Sequence, residues 1–322
     1  MPGRNVYHDS LHISGGRING PVAMQMSGPV HQTFHADPDV PGAPGEQLTV
    51  GVIVALDEEF RHYQNVFGRG ASVSRGRDGA ANHVKRYEWP DARPITMVSR
   101  VIGRPGPEHA SVAADQLIAD VSPDFLVSIG ISGRLSTDIN LGDLVIGDTV
   151  TGYLANSKIT DGASDGQFDV LVAGDSYRAD KWLCDRAAGL ETEAPELYRE
   201  WRNQAAAIRK QSFPPSDTWL IQVARGPLAA GPVVVASHLF RQWLLRHKRD
   251  YLAVDMESGG AALAVWGNAL QNVRLLVIRG ISDSAGRDKA QPHQESDLRL
   301  RGAVMTCAAR YLEAVLHHVA SF

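Results

Sequence analysis

The chain has 322 residues, 43% of them hydrophobic and 21% charged, with a net charge of -4. That length suits one large α/β domain or two small ones, and the mild acidity leaves no electrostatic footprint for nucleic acid. No apolar run is long enough to span a bilayer, no secretory leader is read, and the two cysteines, Cys184 and Cys307, read as free thiols of a reducing cytoplasm. Residues 1–47 are rich in Gly, Pro, His and Ser and carry a short echo, "NGPVAMQM" followed by "SGPVHQTF". They are expected to form a flexible tail or a short β-repeat that docks a protein partner, ending in the linker "DPDVPGAPGE". From residue 48 the pattern changes. "LTVGVIVAL", "ITMVSRVIG", "DFLVSIGIS", "DLVIGDTVT", "WLIQVARGPLAA", "YLAVDM" and "VRLLVIRGIS" are β-branched runs of the kind buried on both faces of a sheet. Helical periods lie between several of them: "GPEHASVAADQLIADV", "ASHLFRQWLLRHK", "SGGAALAVWGNAL" and "RLRGAVMTCAARYLEAVLHHV". The alternation predicts a single three-layer α/β domain over 48–322, a mixed, largely parallel twisted sheet flanked by helices. Residues 176–211 read as two charged amphipathic helices, an excursion from the sheet that either covers the active site or stands exposed beside it.

Ligands of open α/β sheets bind beyond the carboxyl ends of the strands. Three acid-bearing segments fall there: Asp57, Glu58 and Glu59 after the first long strand, Asp255 and Glu257 in "YLAVDMESGG", and Ser282 and Asp283 in "VIRGISDSAG". One such carboxylate is commonly a helix cap, whereas three at separate strand ends point to a shared site. A glycine turn, Gly130 to Gly133 with Ile131 between them, accompanies them. No G-x-G-x-x-G fingerprint and no Walker lysine follows any strand, so hydride transfer and P-loop chemistry are not supported. The twelve histidines are scattered without metal-ligand spacing, and neither metal nor cofactor is expected.

The segments "VGVIVALDEEF", "VSIGISGRLSTDINLGDLVIGD", "AVDMES" and "VIRGISDSAG", in this order, resemble the purine nucleoside phosphorylase and nucleosidase superfamily. The branch they resemble is that of the 5'-methylthioadenosine/S-adenosylhomocysteine nucleosidases. The resemblance covers roughly residues 48–320, a domain-scale match. It implies that Glu59 orients or activates the attacking water and that Asp283, preceded by Ser282, protonates or binds the purine at N7. It implies that Glu257 accepts hydrogen bonds from the ribose hydroxyls while Met256 packs on the sugar. Gly130, Ile131 and Gly133 would approach sugar and base, and Val234 and Val235 would supply backbone contacts to the base. Where the family commonly stacks an aromatic ring on the purine, this chain has Val234. The resemblance also implies a homo-oligomer and a small-molecule purine substrate.

The chemistry fits those residue types. Breaking an N-glycosidic bond builds positive charge on the ribosyl ring and negative charge on the base. A carboxylate beside the sugar stabilises the first, and a protonated carboxyl beside N7 neutralises the second. "ALDEE" stands where phosphorylases of the superfamily carry an anion-binding "G-D-P-x-R"-like turn, and its three acids would repel phosphate, so water is the expected nucleophile. Arg100, Arg104 and Arg134 lie near strand ends and are candidate ligands for a 5'-phosphate. With a nucleotide as substrate the enzyme would suit a bacterial antiviral effector that depletes nucleotides. A phosphate-dependent phosphorylase and a non-catalytic nucleoside or nucleotide sensor are the alternative readings.

Overall fold

The structure, a computed structural model, describes residues 30–31, 47–68, 72–161, 168–213, 220–285 and 295–322. The repeat-bearing N-terminal segment lies almost wholly outside the described residues. In chain order the strands are β1 (Val30–His31), β2 (Leu48–Val54), β3 (Ser72–Arg75), β4 (Ala81–Tyr87), β5 (Ile95–Val101), β6 (Phe125–Arg134), β7 (Leu144–Gly152), β8 (Lys158–Asp161), β9 (Phe168–Leu171), β10 (Asp175–Arg178), β11 (Val223–Ala230), β12 (Ala253–Asp255) and β13 (Arg274–Asp283). The α-helices are α1 (Asp57–Phe67), α2 (Pro107–Val121), α3 (Lys181–Ala188), α4 (Leu190–Glu193), α5 (Pro195–Ser212), α6 (His238–His247), α7 (Ser258–Gly267) and α8 (Glu295–Ala320).

The β-branched runs form the central strands because only a strand buried on both faces satisfies them. β2 lies parallel to both β5 and β6, and β6 parallel to β13. A second parallel group joins β7, β11 and β12. β4 and β3 extend the β5 side as antiparallel strands, and β10 pairs antiparallel with β7. β1 adds a two-residue parallel pairing outside β10, Val30 opposite Ser176 and His31 opposite Tyr177. The mixed, largely parallel character expected from the sequence is therefore present.

The sequence did not announce closure. β13 pairs with β6 along one edge and antiparallel with β7 along the other, while β12 pairs antiparallel with β6. The pairings β6–β13–β7–β11–β12–β6 return to their start, so part of the sheet is a closed five-stranded ring rather than an open layer. The three-layer description with an open twisted sheet does not capture this.

α2 starts with Pro107 in its first turn, where a missing N–H costs nothing, and packs on α7, whose small residues allow a close approach. α1, α3 and α5 pack on α8, and Trp201 of α5 donates its indole N–H to the Cys307 carbonyl at 3.2 Å. The charged stretch read as two helices holds α3 and α5 with the one-turn α4 between them. Its first residues belong to β10 instead. Both cysteines are buried free thiols. Among the described residues no helix is long and apolar enough to cross a membrane, and no cluster of His, Cys, Asp and Glu could hold a metal ion.

Candidate active site

β2, β6, β12 and β13 all end toward one cavity of about 210 Å3. Its lining includes Glu59, Ile131, Gly133, Val234, Val235, Met256, Glu257, Ser282 and Asp283. Segments scattered over more than two hundred positions of sequence thus converge on one space. Leu56, Pro105, Val254 and Ala285 complete much of the apolar wall, and among the described lining residues none is aromatic. Val234, standing where a stacking ring was expected to be replaced, is 57% exposed at the cavity.

Glu59 sits in the first turn of α1 yet turns inward, 6% exposed. Its Oε2 is buried without a hydrogen-bond partner. It lies over Gly130 of β6, where an added Cβ would come within 3.0 Å of that oxygen. Gly130 lies within β6 rather than in the turn expected from the sequence, lines no part of the cavity, and serves as a clearance for the carboxyl. Burial pushes the Glu59 carboxyl up to about 8, with the Glu257 charge adding to the rise and Arg279 and Arg301 opposing it. Its neighbours Asp57 and Glu58 belong to the same helical turn but line no part of the cavity.

Glu257 is the residue immediately before α7. The Gly106 N–H points at its Oε1 across 3.4 Å, the long end of a hydrogen bond. Burial raises its carboxyl to about 7, helped by the neighbouring Asp255 charge and opposed by Arg279. Asp255 itself is committed to structure. It accepts from Ser258 Oγ at 2.6 Å and from the Ser258 N–H, capping α7, and is ion-paired to Arg279.

Asp283 ends β13 beyond a bulge. Ile281 faces Ser132 and Asp283 faces Gly133, so Ser282 is an extra residue without a partner in the register. A bulge re-aims the side chains that follow it. Ser282 Oγ donates to Asp283 Oδ2 at 3.0 Å and the Ala285 N–H donates to Oδ1 at 3.0 Å, fixing the carboxyl. An added Cβ at Gly133 would meet Asp283 Oδ1 at 2.9 Å, so the second glycine of β6 is again a clearance for an acid.

The three arginines expected to grip phosphate are not brought to this cavity. Arg100 is buried and fully engaged elsewhere: Nη2 bonds Asp120 at 2.6 Å, Nη1 bonds Asp78 at 3.3 Å and Nε donates to Asn82 at 2.8 Å. Its partners come from β4, the β3–β4 turn and α2, none of which lines the cavity. Arg134 is half-buried and donates to the Ile139 carbonyl at 3.2 Å. Arg104 is exposed on the loop that supplies Pro105 to the lining. The helices over 176–211 contribute no lining residue either.

Two arginines went unread in the sequence. Arg279 of β13 is 1% exposed, paired with Asp255, and donates to the Ser128 carbonyl and hydroxyl, each at 2.8 Å. A charged residue inside the apolar run "LLVIRGIS" was a usable signal, because such residues are almost never fully buried without a partner. Arg301 of α8 is a cavity-lining residue. "RLRGAV" sits in an ordinary amphipathic period and offered no such signal.

This arrangement, carboxyls at strand ends around a cleft in a partly closed α/β sheet, defines a nucleoside phosphorylase-like fold. The sequence profile of the phosphorylase superfamily matches residues 49–317, and the chain belongs to that superfamily. It is similar to a 5'-methylthioadenosine/S-adenosylhomocysteine nucleosidase of Maridesulfovibrio salexigens, 29% identical over 80% of this chain and 94% of the relative. It is also similar to a death domain-containing ATP nucleosidase of Amphimedon queenslandica, 22% identical over 78% of this chain and 44% of the relative. Among solved structures, the Helicobacter pylori 5'-methylthioadenosine/S-adenosylhomocysteine nucleosidase with butyl-thio-DADMe-Immucillin-A superposes with a TM-score of 0.59 at 17% identity, covering 84% of this chain and 98% of that one. The futalosine hydrolase of the same organism superposes with a TM-score of 0.59 at 17% identity, covering 84% and 97%.

Proposed function

We propose that this chain is a purine nucleosidase, hydrolysing the N-glycosidic bond of an adenine nucleoside or nucleotide. The observation that carries the reading is the convergence of Glu59, Glu257 and Asp283 on one cavity, with a Glu59 oxygen left buried and unpartnered. An orphaned buried acceptor costs free energy unless a ligand supplies a donor, and water is the smallest donor available. The names of the similar nucleosidases support the same reaction.

In this reading the C1'–N9 bond breaks with its electron pair leaving on the base. Asp283 gives a proton at N7, so adenine departs neutral. Glu257 accepts hydrogen bonds from the ribose diol and its charge favours the ribosyl cation. Glu59 takes a proton from the attacking water, whose oxygen becomes the new substituent on C1'. The products are adenine and the free sugar, and the two carboxyls exchange their protons with solvent between turnovers. Met256 packs on the sugar, and Ile131, Gly133, Val234 and Val235 shape the base end.

The test is product identity. Adenosine, methylthioadenosine, AMP and ATP are incubated with the protein, with and without phosphate, and the sugar product is identified. Free sugar and adenine are expected. Sugar 1-phosphate formed in proportion to added phosphate would replace the reading with phosphorolysis, which the cation Arg301 in the cavity favours as the second reading.

Three finer parts belong to the proposal. A role as an antiviral effector that depletes nucleotides is supported by the similarity to an ATP nucleosidase, and loss of cellular ATP on expression tests it. A homo-oligomer is supported by the apolar α2–α7 face, where Val112 and Leu263 stand exposed, and light scattering tests it. Docking through residues 1–47 is tested by comparing partner capture with and without that segment.

A further inference from the structure

We propose that Arg301 reads an anionic group on the sugar end of the substrate, a 5'-phosphate, and makes this chain prefer nucleotides to nucleosides. The inference rests on the nucleosidase reading for the orientation of the substrate. Arg301 is the cationic side chain among the described residues lining the cavity; the charged others are Glu59, Asp255, Glu257 and Asp283. Arg100 and Arg279 spend their donors on protein acceptors, and Arg134, bonded through Nη1 to the Ile139 carbonyl, lies outside the cavity lining. Arg301 makes no hydrogen bond or ion pair among the described residues, although it is half-buried. A guanidinium partly withdrawn from water with its five donors uncommitted matches a phosphoryl group, which it can bind in a bidentate fork.

Its place fits the sugar end. α8 packs along α1, so Arg301 and Glu59 share one wall. With the base at Asp283 and the diol at Glu257, that wall is left for the attacking water and the 5' substituent. An alternative duty, internal counterion for Glu59, is not what the geometry provides. The two are not within ion-pair distance, and the Glu59 carboxyl still stands at about 8 despite the opposing charge. The cavity also repels an anion less than its acids suggest. Asp255 is neutralised by Arg279, and Asp57 and Glu58 line no part of the cavity.

Binding of AMP, adenosine and inorganic phosphate is measured calorimetrically on the full chain in an Asp283→Asn background, so that bound nucleotide is not consumed. AMP should bind about 10-fold to 100-fold more tightly than adenosine, the range expected of charge-assisted hydrogen bonds. Arg301→Gln should collapse that ratio to within about threefold, and Arg301→Lys, which keeps the charge without the fork, should retain part of it. An unchanged ratio in Arg301→Gln overturns the proposal, as does a ratio abolished by Arg104→Ala instead. Inorganic phosphate binding alongside adenosine, and lost with Arg301, also overturns it and assigns the arginine to a phosphate co-substrate. Should Arg301→Gln fail to fold, the Lys variant decides: an AMP preference equal to that of the parent overturns the proposal. Tight AMP binding without adenine release from the parent protein breaks the nucleosidase reading alone.

Discussion

Two buried arginines on central strands organise two clusters of acids, and the clusters behave oppositely. Around Arg100 every acid finds donors. Asp120 is pulled upward by burial, but hydrogen bonds from the Arg77 N–H, Asn82 and Arg100, with the Arg100 charge, outweigh it and hold the carboxyl below its ordinary value. Around Arg279 the donors go to Asp255 and Ser128, leaving Glu59 and Glu257 outside the fork. Their carboxyls rise to about 8 and about 7, driven first by burial. The ingredients are the same, and the ratio of donors to acids differs. A cluster with enough donors is structure; a cluster short of them is waiting for a ligand.

The contrast can be broken from either side. On the cavity side, Asp283→Asn should lower adenine release about 100-fold to 10,000-fold, the range of general acid catalysis, measured by steady-state assay. Turnover close to that of the parent would remove Asp283 from the chemistry. On the other side, Arg100→Met leaves Asp120 and Asp78 without their cation and should cost about 3–5 kcal/mol of stability in denaturant titration. The kcat/KM of the protein that remains folded should not move, and a selective loss there would bring Arg100 back toward the site.

A third test uses pH. A carboxyl whose folded value is raised keeps its proton where the unfolded chain has lost it. Glu59 therefore opposes folding increasingly as pH climbs from 4.5 toward about 8, and the full penalty is present above that. Glu59→Gln should melt at the same temperature as the parent near pH 4.5 and be more stable by about 3 kcal/mol or more at pH 9. Equal stability at pH 9 would show that Glu59 has found a donor. The smallest expected effect is at Glu257. Its change to Gln should remove about 1.5–3 kcal/mol of preference for ribosyl over 2'-deoxyribosyl substrates. An undiminished preference would place the diol elsewhere.

The acids were legible in the sequence because each follows a β-branched run, and a strand end is where an α/β sheet presents ligand groups. Their positions relative to one another were not, since the bulge at Ser282 and the glycine clearances at Gly130 and Gly133 are matters of register. The arginines show the limit more sharply. Arg100 precedes the end of its strand by one residue, which suggested a site, but its partners come from the β3–β4 turn and from α2 and are not adjacent in sequence. Arg301 carried no local mark at all, because a cation on a long helix is ordinarily solvated. The helices over 176–211 were visible by period, whereas their packing on α8 away from the cavity is a tertiary choice.

The closed ring bears on how precisely the carboxyls can be held. An error of alignment in an open sheet can be pushed outward to a free edge and lost there. In β6–β13–β7–β11–β12 each strand is hydrogen-bonded to a neighbour on both sides, and the circuit meets itself. A slip of one residue anywhere would have to travel round and arrive back at its origin out of step. The spacing between Glu257, two residues beyond β12, and Asp283, at the tip of β13, is thus quantised by topology rather than tuned by side-chain packing, and it can survive extensive change elsewhere in the chain.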